Sequence, residues 1–187
     1  MPRKILIVED VAINRQILKA AIEKDYEIIE AENGEEALGV MRAQADTLSA
    51  VLLDIMMPVM NGYDVLRHMR ADDALSKIPV VVLTSSEDDD SRVRSLTLGA
   101  NDFVTKPYNP DIIRHCLANC IALRETAAIA DAARRDDLTC LLNRKAYYET
   151  VEKMVAEHAP GYYVMACLDI DNFKVINDQY GTRKGDD

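Results

Sequence analysis

Five residues of this 187-residue chain could do chemistry together: Glu9, Asp10, Asp54, Thr84 and Lys106. Each stands at the carboxyl end of a short apolar run, the runs being Lys4–Val8, Ala50–Leu53, Pro79–Leu83 and Asn101–Thr105. Short β-branched runs read as buried strands, and the segments between them carry helical spacing, so the pattern is βα units around a parallel sheet. Ligands of such sheets bind beyond the carboxyl ends of the strands. Three carboxylates, a hydroxyl and an ammonium are therefore expected to meet in one cleft.

Three carboxylates in one cleft repel one another unless they are protonated or neutralised by a cation. Magnesium answers this economically, because hard divalent ions take oxygen ligands and keep waters. Asp10 and Asp54 would ligate directly, Glu9 through a water, and Met56 through its backbone carbonyl. A phosphoryl group could complete the set. Lys106 would then place a point charge on one phosphoryl oxygen, and Thr84 a neutral donor on another.

The elements that must position these groups follow from periodicity. Helices are expected over Ala12–Glu23 (Ile13, Ile17, Ala20 and Ala21 inward), Gly34–Ala45 (Ala37, Leu38 and Met41), Gly62–Arg70 (Val65, Leu66 and Met69) and Ser91–Leu98 (Val93 and Leu96). Tyr26–Ala31 adds a further strand. The expected fold is α/β and flavodoxin-like, a five-stranded parallel sheet in the order 2-1-3-4-5. The helix after Pro110 meets neither Gly nor Pro as far as Arg135, and should run on as a stalk. Ile113, Leu117, Cys120 and Ala127, with Ile121 and Ala128 opposing, fit a coiled-coil seam or a single amphipathic helix. After Asp136 come a turn, a helix over Arg144–Glu157, a Pro160-Gly161 break, a strand over Tyr162–Leu168 and an acidic loop. The expected division is 1–122, a stalk over 123–135, and an incomplete α/β piece over 136–187.

Composition narrows the function. A net charge of −10 argues against nucleic acid or an anionic membrane as a direct partner. The start, MPRKILIVED, reaches charge after four apolar residues and shows neither signal peptide nor membrane span, so a cytoplasmic protein is expected. Cys116, Cys120, Cys140 and Cys167 lack paired metal-ligand spacing and read as thiols of a reducing compartment. The acidic run Glu87–Asp90 reads as a solvated helix start.

The segments VED (8–10), DIMMPVMNG (54–62), LTS (83–85) and FVTKP (103–107) resemble the receiver domains of two-component response regulators over roughly residues 1 to 122. The resemblance implies Asp54 as phosphoacceptor, Glu9 and Asp10 as metal-binding acids, Thr84 as switch hydroxyl, Lys106 as phosphoryl contact and Phe103 as switch aromatic. It also implies a sensor histidine kinase or histidine phosphotransfer protein as partner. A phosphorylation-dependent homodimer is expected on the fourth helix, fifth strand and fifth helix, with Arg92 or Arg94 facing Asp102 or Asp111. A magnesium-dependent aspartyl-phosphate phosphatase fits less well, because Met56 stands where that chemistry needs an acid.

Residues 136–187 resemble the beginning of a GGDEF domain, the diguanylate cyclase fold that makes cyclic di-GMP from two GTP. DDLTCLLNR, DIDNFKVINDQYG and GDD at 185–187 carry the likeness. It implies Asp169 and the Ile170 carbonyl as metal ligands, Asn177 and Asp186 as guanine contacts, and Phe173 and Lys174 near the phosphates. Cys140 stands where that family commonly has Gly, and Thr182 where it commonly has His. No Gly-Gly-(Asp/Glu)-Glu-Phe segment occurs, so these 187 residues are not expected to be an active cyclase, and GTP binding is expected of a longer protein. A stand-alone receiver acting as a binding switch or phosphate sink is the other reading.

Overall fold

The structure is a computed structural model that describes residues 3–85, 89–159, 161–169 and 171–183. It divides into two compact units, Met1–Ala127 and Ala128–Asp187.

In the first unit five strands, β1 (Lys4–Val8), β2 (Glu27–Ala31), β3 (Leu48–Asp54), β4 (Val80–Thr84) and β5 (Asp102–Thr105), form a parallel sheet ordered β2-β1-β3-β4-β5. Strand residues alternate between two apolar layers. Leu6, Val8, Val51, Leu53, Val80 and Val82 face one core, while Ile5, Ile7, Ala50, Leu52, Val81 and Leu83 face the other. Burial on both faces is why these strands read as continuous apolar runs. The first layer is closed by α2 (Gly34–Gln44) and α3 (Gly62–Arg70), and the second by α1 (Ala12–Ile22) and α5 (Pro110–Ala132). Between β4 and β5 lies α4 (Asp89–Thr97). The α5 residues Ile113, Leu117, Cys120 and Ile121 are core, which favours the amphipathic-helix reading for this half of α5. Burial pushes the Cys116 thiol up to about 12 and the Cys120 thiol to about 11, so both stay protonated.

Two helices turn a different face inward from the one periodicity suggested. In α1 the buried residues are Arg15, Leu18, Ala21 and Ile22, whereas Ile13 and Ile17 are exposed and Ala20 lies outward. Apolar residues cover more than half of this helix, so spacing alone leaves its phase open. Arg15 settles it by reaching the backbone at the end of β1. In α4, Ser95 is buried while Val93 and Leu96 face out. Arg92 lies over the Phe103 ring at 4.9 Å and Arg94 over the Tyr63 ring at 4.1 Å, contacts that pull the polar side of α4 toward the fold.

In the second unit a turn follows the end of α5. The carboxylate of Asp136 accepts from the Thr139 N–H at 3.0 Å, the Thr139 hydroxyl at 3.0 Å and the Leu138 N–H at 3.3 Å. Asn143 then caps α6 (Arg144–Glu157) by accepting from the Ala146 N–H, and α7 spans Phe173–Tyr180. Cys140 has φ of 58°, the left-handed region that favours glycine. The strand expected over Tyr162–Leu168 is not formed: these residues pair with no other strand, and Val164 and Leu168 are almost fully exposed. A β-strand is defined by its ladder, and no neighbouring strand is described in this unit.

Candidate functional site

Parallel strands deliver their carboxyl ends to one edge. The sequence patterns that end β1, β3 and β4, and the residue after β5, thereby bring Glu9, Asp10, Asp54, Thr84 and Lys106 to that edge. Lys106 is set by the sheet itself, since its backbone N–H donates to the Thr84 carbonyl at 2.8 Å. Its peptide bond to Pro107 is cis.

Carboxylate oxygens of Glu9, Asp10 and Asp54 all lie within 4.8 Å of one another. Glu9 and Asp54 are buried, and Asp10 is the most open of the three. The Lys106 ammonium donates to Glu9 Oε2 and Asp54 Oδ2, both at 2.9 Å, bridging two buried acids. Burial pushes the Glu9 carboxyl up, but donors from Asn14, Lys106 and Tyr108 outweigh it and leave the group below its ordinary value. Burial raises the Asp54 carboxyl, Lys106 lowers it and the neighbouring Glu9 charge raises it, for a net rise. Burial would lower the Lys106 ammonium, yet bonds to Asp54 and Glu9 carry it above its usual range. Three acids against one lysine leave negative charge over, concentrated on hard oxygen atoms, so the donor set fits a magnesium ion.

The loop after β3 shapes the approach. The Met56 N–H donates to Asp54 Oδ1 at 3.4 Å, and the Met56 side chain points to solvent. A groove of about 460 Å³ opens here, lined by Asp10, Met56, Pro58, Asn61, Tyr63 and Arg94 among others. Gly62 lies against the strand end, where a Cβ would stand 2.4 Å from the Asp54 carbonyl oxygen. Thr84 is buried at the end of β4, and Phe103 is half-buried on β5. Asp111 pairs with Arg114 of its own chain, and Asp102 accepts from the Phe103 N–H.

Two participants escaped sequence reasoning. Arg15 is buried, donates to the Glu9 and Asp10 carbonyl oxygens, and pairs with Glu32 at 2.5 Å and Glu30 at 3.5 Å. Tyr108 donates to Glu9 Oε2 at 2.8 Å. A single charged residue on an apolar helix face was the available signal for Arg15. Tyr108 follows the KP pair with no spacing rule to mark it.

The second unit assembles less. Asp169 is exposed, and among the described residues no group of three metal-holding side chains forms around it. Phe173 and Lys174 open α7, both exposed, and Asn177 lies one turn on with its Oδ1 enclosed and without a hydrogen-bond partner among the described residues. Ile170, Asp186, and Glu87 and Asp88 of the acidic run lie outside the described residues.

Comparison with known proteins yields two family matches: the response regulator receiver domain over residues 5–118 and the diguanylate cyclase GGDEF domain over residues 133–187. The chain is 32% identical over 163 residues to the phosphate regulon transcriptional regulatory protein PhoB of Pseudomonas aeruginosa, covering 86% of this chain and 69% of that protein. It is 34% identical over 116 residues to chemotaxis protein CheY1 of Helicobacter pylori, covering 61% of this chain and 93% of that one. It spans 43% of the length of the probable transcriptional regulator ycf27 of Porphyridium aerugineum, to which it is 38% identical over 108 residues, 57% of this chain. Among solved structures it is similar to the receiver domain of sensor histidine kinase PA1611 from Pseudomonas aeruginosa. That likeness has a TM-score of 0.57 at 26% identity and covers 65% of this chain and 99% of the other. The PA1611 structure has a magnesium ion coordinated in its active site cleft. No helix among the described residues is long and apolar enough to cross a membrane.

Proposed function

Because this chain belongs to the response regulator receiver family, with the opening of a GGDEF domain behind the receiver, we propose that it is a two-component switch phosphorylated on Asp54 that controls diguanylate cyclase output. The observation that carries this reading is the Lys106 ammonium bridging Glu9 and Asp54 beside Asp10.

The Asp54 carboxylate attacks the phosphorus of a phosphohistidine on a partner kinase or phosphotransfer protein. An O–P bond forms, the N–P bond breaks, and its electron pair returns to the imidazole, which takes up a proton. Magnesium held by Asp10, Asp54 and the Met56 carbonyl, with Glu9 outside them, would supply positive charge to the transferring group. Lys106 gives up its bridge to contact a phosphoryl oxygen, and Thr84 donates to another. Their shift is transmitted to Phe103 and the Arg92 guanidinium lying on it. Val93 and Leu96 on α4 and Ile112 on α5 are exposed apolar residues, which supports a homodimer across α4, β5 and α5. In a longer protein carrying the GGDEF hairpin, that dimer would bring two cyclase halves and their GTP together, with Asp169, Ile170, Phe173, Lys174, Asn177 and Asp186 contributing to the nucleotide site.

The test is mass spectrometry of the chain incubated with magnesium and phosphoramidate. Wild-type protein gains one phosphoryl group and Asp54→Asn gains none. Equal labelling of the two overturns the assignment.

A further inference from the structure

The Glu9 carboxylate is filled to capacity. Its Oε1 accepts from the Asn14 side-chain amide at 3.0 Å and the Val11 N–H at 3.4 Å, and its Oε2 from the Lys106 ammonium at 2.9 Å and the Tyr108 hydroxyl at 2.8 Å. An ionised carboxylate offers about four acceptor directions, and here each has a donor. Glu9 is 0% exposed, so bulk solvent does not replace a donor that leaves.

Phosphorylation of Asp54 requires one donor to leave. Lys106 serves Glu9 and Asp54 at once, and a phosphoryl group on Asp54 draws the ammonium toward its oxygens. Stripped of its cation, a buried carboxylate is costly unless another donor stays on the same oxygen. Tyr108 is placed to stay. Its ring packs against the apolar layer closed by α1 and α5, and its hydroxyl reaches the oxygen that Lys106 vacates. The Lys106 Nζ lies 5.6 Å from the centre of the same ring, so lysine and phenol share one side of Glu9.

We propose that Tyr108 is a positioning residue: it holds Glu9 while Lys106 transfers from that carboxylate to a phosphoryl oxygen on Asp54. The proposal rests on the reading of Asp54 as phosphoacceptor. Phenylalanine at 108 would fill the same space and leave Oε2 bare when Lys106 moves, so the ammonium would be held back on Glu9.

The experiment measures beryllofluoride binding to the full chain in saturating magnesium by calorimetry, for wild type, Tyr108→Phe, Lys106→Ala and the double variant. Tyr108→Phe should bind about tenfold more weakly than wild type, the scale of one hydrogen bond to a charged group. In the Lys106→Ala background there is no ammonium to transfer, and the same substitution should change the dissociation constant less than twofold. Equal losses in both backgrounds would indicate packing alone and overturn the proposal, as would an unchanged affinity in the single variant. A second measurement needs no variant: in ¹³C-tyrosine-labelled wild type, the Tyr108 Cζ resonance keeps its hydrogen-bonded position when beryllofluoride is added. Movement to the free-phenol position overturns the proposal. Binding that is absent in wild type, or that survives Asp54→Asn, defeats the phosphoacceptor reading itself. Binding that depends on Asp54 but ignores Tyr108 defeats only this inference.

Discussion

Arg15 holds Glu9 by its backbone, the guanidinium Nη1 donating to the Glu9 carbonyl oxygen at 2.8 Å. The same nitrogen reaches the Asp10 carbonyl at 3.0 Å, and Nη2 is anchored by Glu32. A side chain from the next helix thus fixes the main chain that aims both acids. Replacing it with Met should leave two carbonyls short of a donor, costing about 1–3 kcal/mol of stability. Magnesium affinity should fall about tenfold as the acid pair loosens, on the scale seen when groups that orient metal ligands are removed. Denaturant unfolding and magnesium titration of Arg15→Met check both, and an unchanged magnesium affinity would refute the clamp.

Gly62 admits the end of β3 more closely than any Cβ would allow. Added to the 2.4 Å approach to the Asp54 oxygen is one of 2.9 Å to the Ile55 Cα, and both neighbours are backbone. Gly62→Ala should therefore cost about 1–3 kcal/mol, as overpacking does, and displace Asp54. The rate of labelling by phosphoramidate should fall with it. A variant with wild-type stability and rate would contradict this account.

Without Lys106, Glu9 and Asp54 face each other with no cation between them. Lys106→Met should lower the melting temperature in metal-free buffer, and magnesium should restore more of the loss than it adds to wild type. Thermal melts with and without magnesium decide it, and a variant indifferent to magnesium would count against a metal at these acids.

Cys140 carries a side chain at φ of 58°. Left-handed backbone costs a non-glycine residue roughly 1–2 kcal/mol, partly offset by the chain entropy that glycine loses. Cys140→Gly should stabilise the second unit by about 0.5–1 kcal/mol. Hydrogen exchange of the Thr139 and Leu141 amides would slow in proportion. Faster exchange would show that the cysteine makes a compensating contact.

The Asp136 carboxyl is held below its ordinary value, first by the Thr139 backbone N–H and then by the Thr139 hydroxyl. A lowered acid stabilises its turn above the unfolded-chain value and loses that contribution as pH falls through the folded one. The Thr139 amide resonance should titrate with a midpoint below that of free aspartate. A midpoint at or above it would contradict the turn.

Sequence by itself determined the strand order, the cleft edge and the gathering of five polar residues there, because strand burial and carboxyl-end placement are local patterns with a global consequence. Glu9, Asp10, Asp54, Thr84 and Lys106 end their runs, and a parallel sheet has one edge for such ends. The phase of α1 was not legible, since its apolar residues cover most of the helix and only the reach of Arg15 to the Glu9 carbonyl chooses among them. α4 turned for a like reason, its arginines finding the rings of Phe103 and Tyr63. Residues 162–168 have strand composition and no strand, because a ladder needs a neighbour. Tertiary structure alone decided which donors fill Glu9: Tyr108 lies 99 residues away from it along the chain, and no pattern in the sequence records a hydrogen bond made across a cleft.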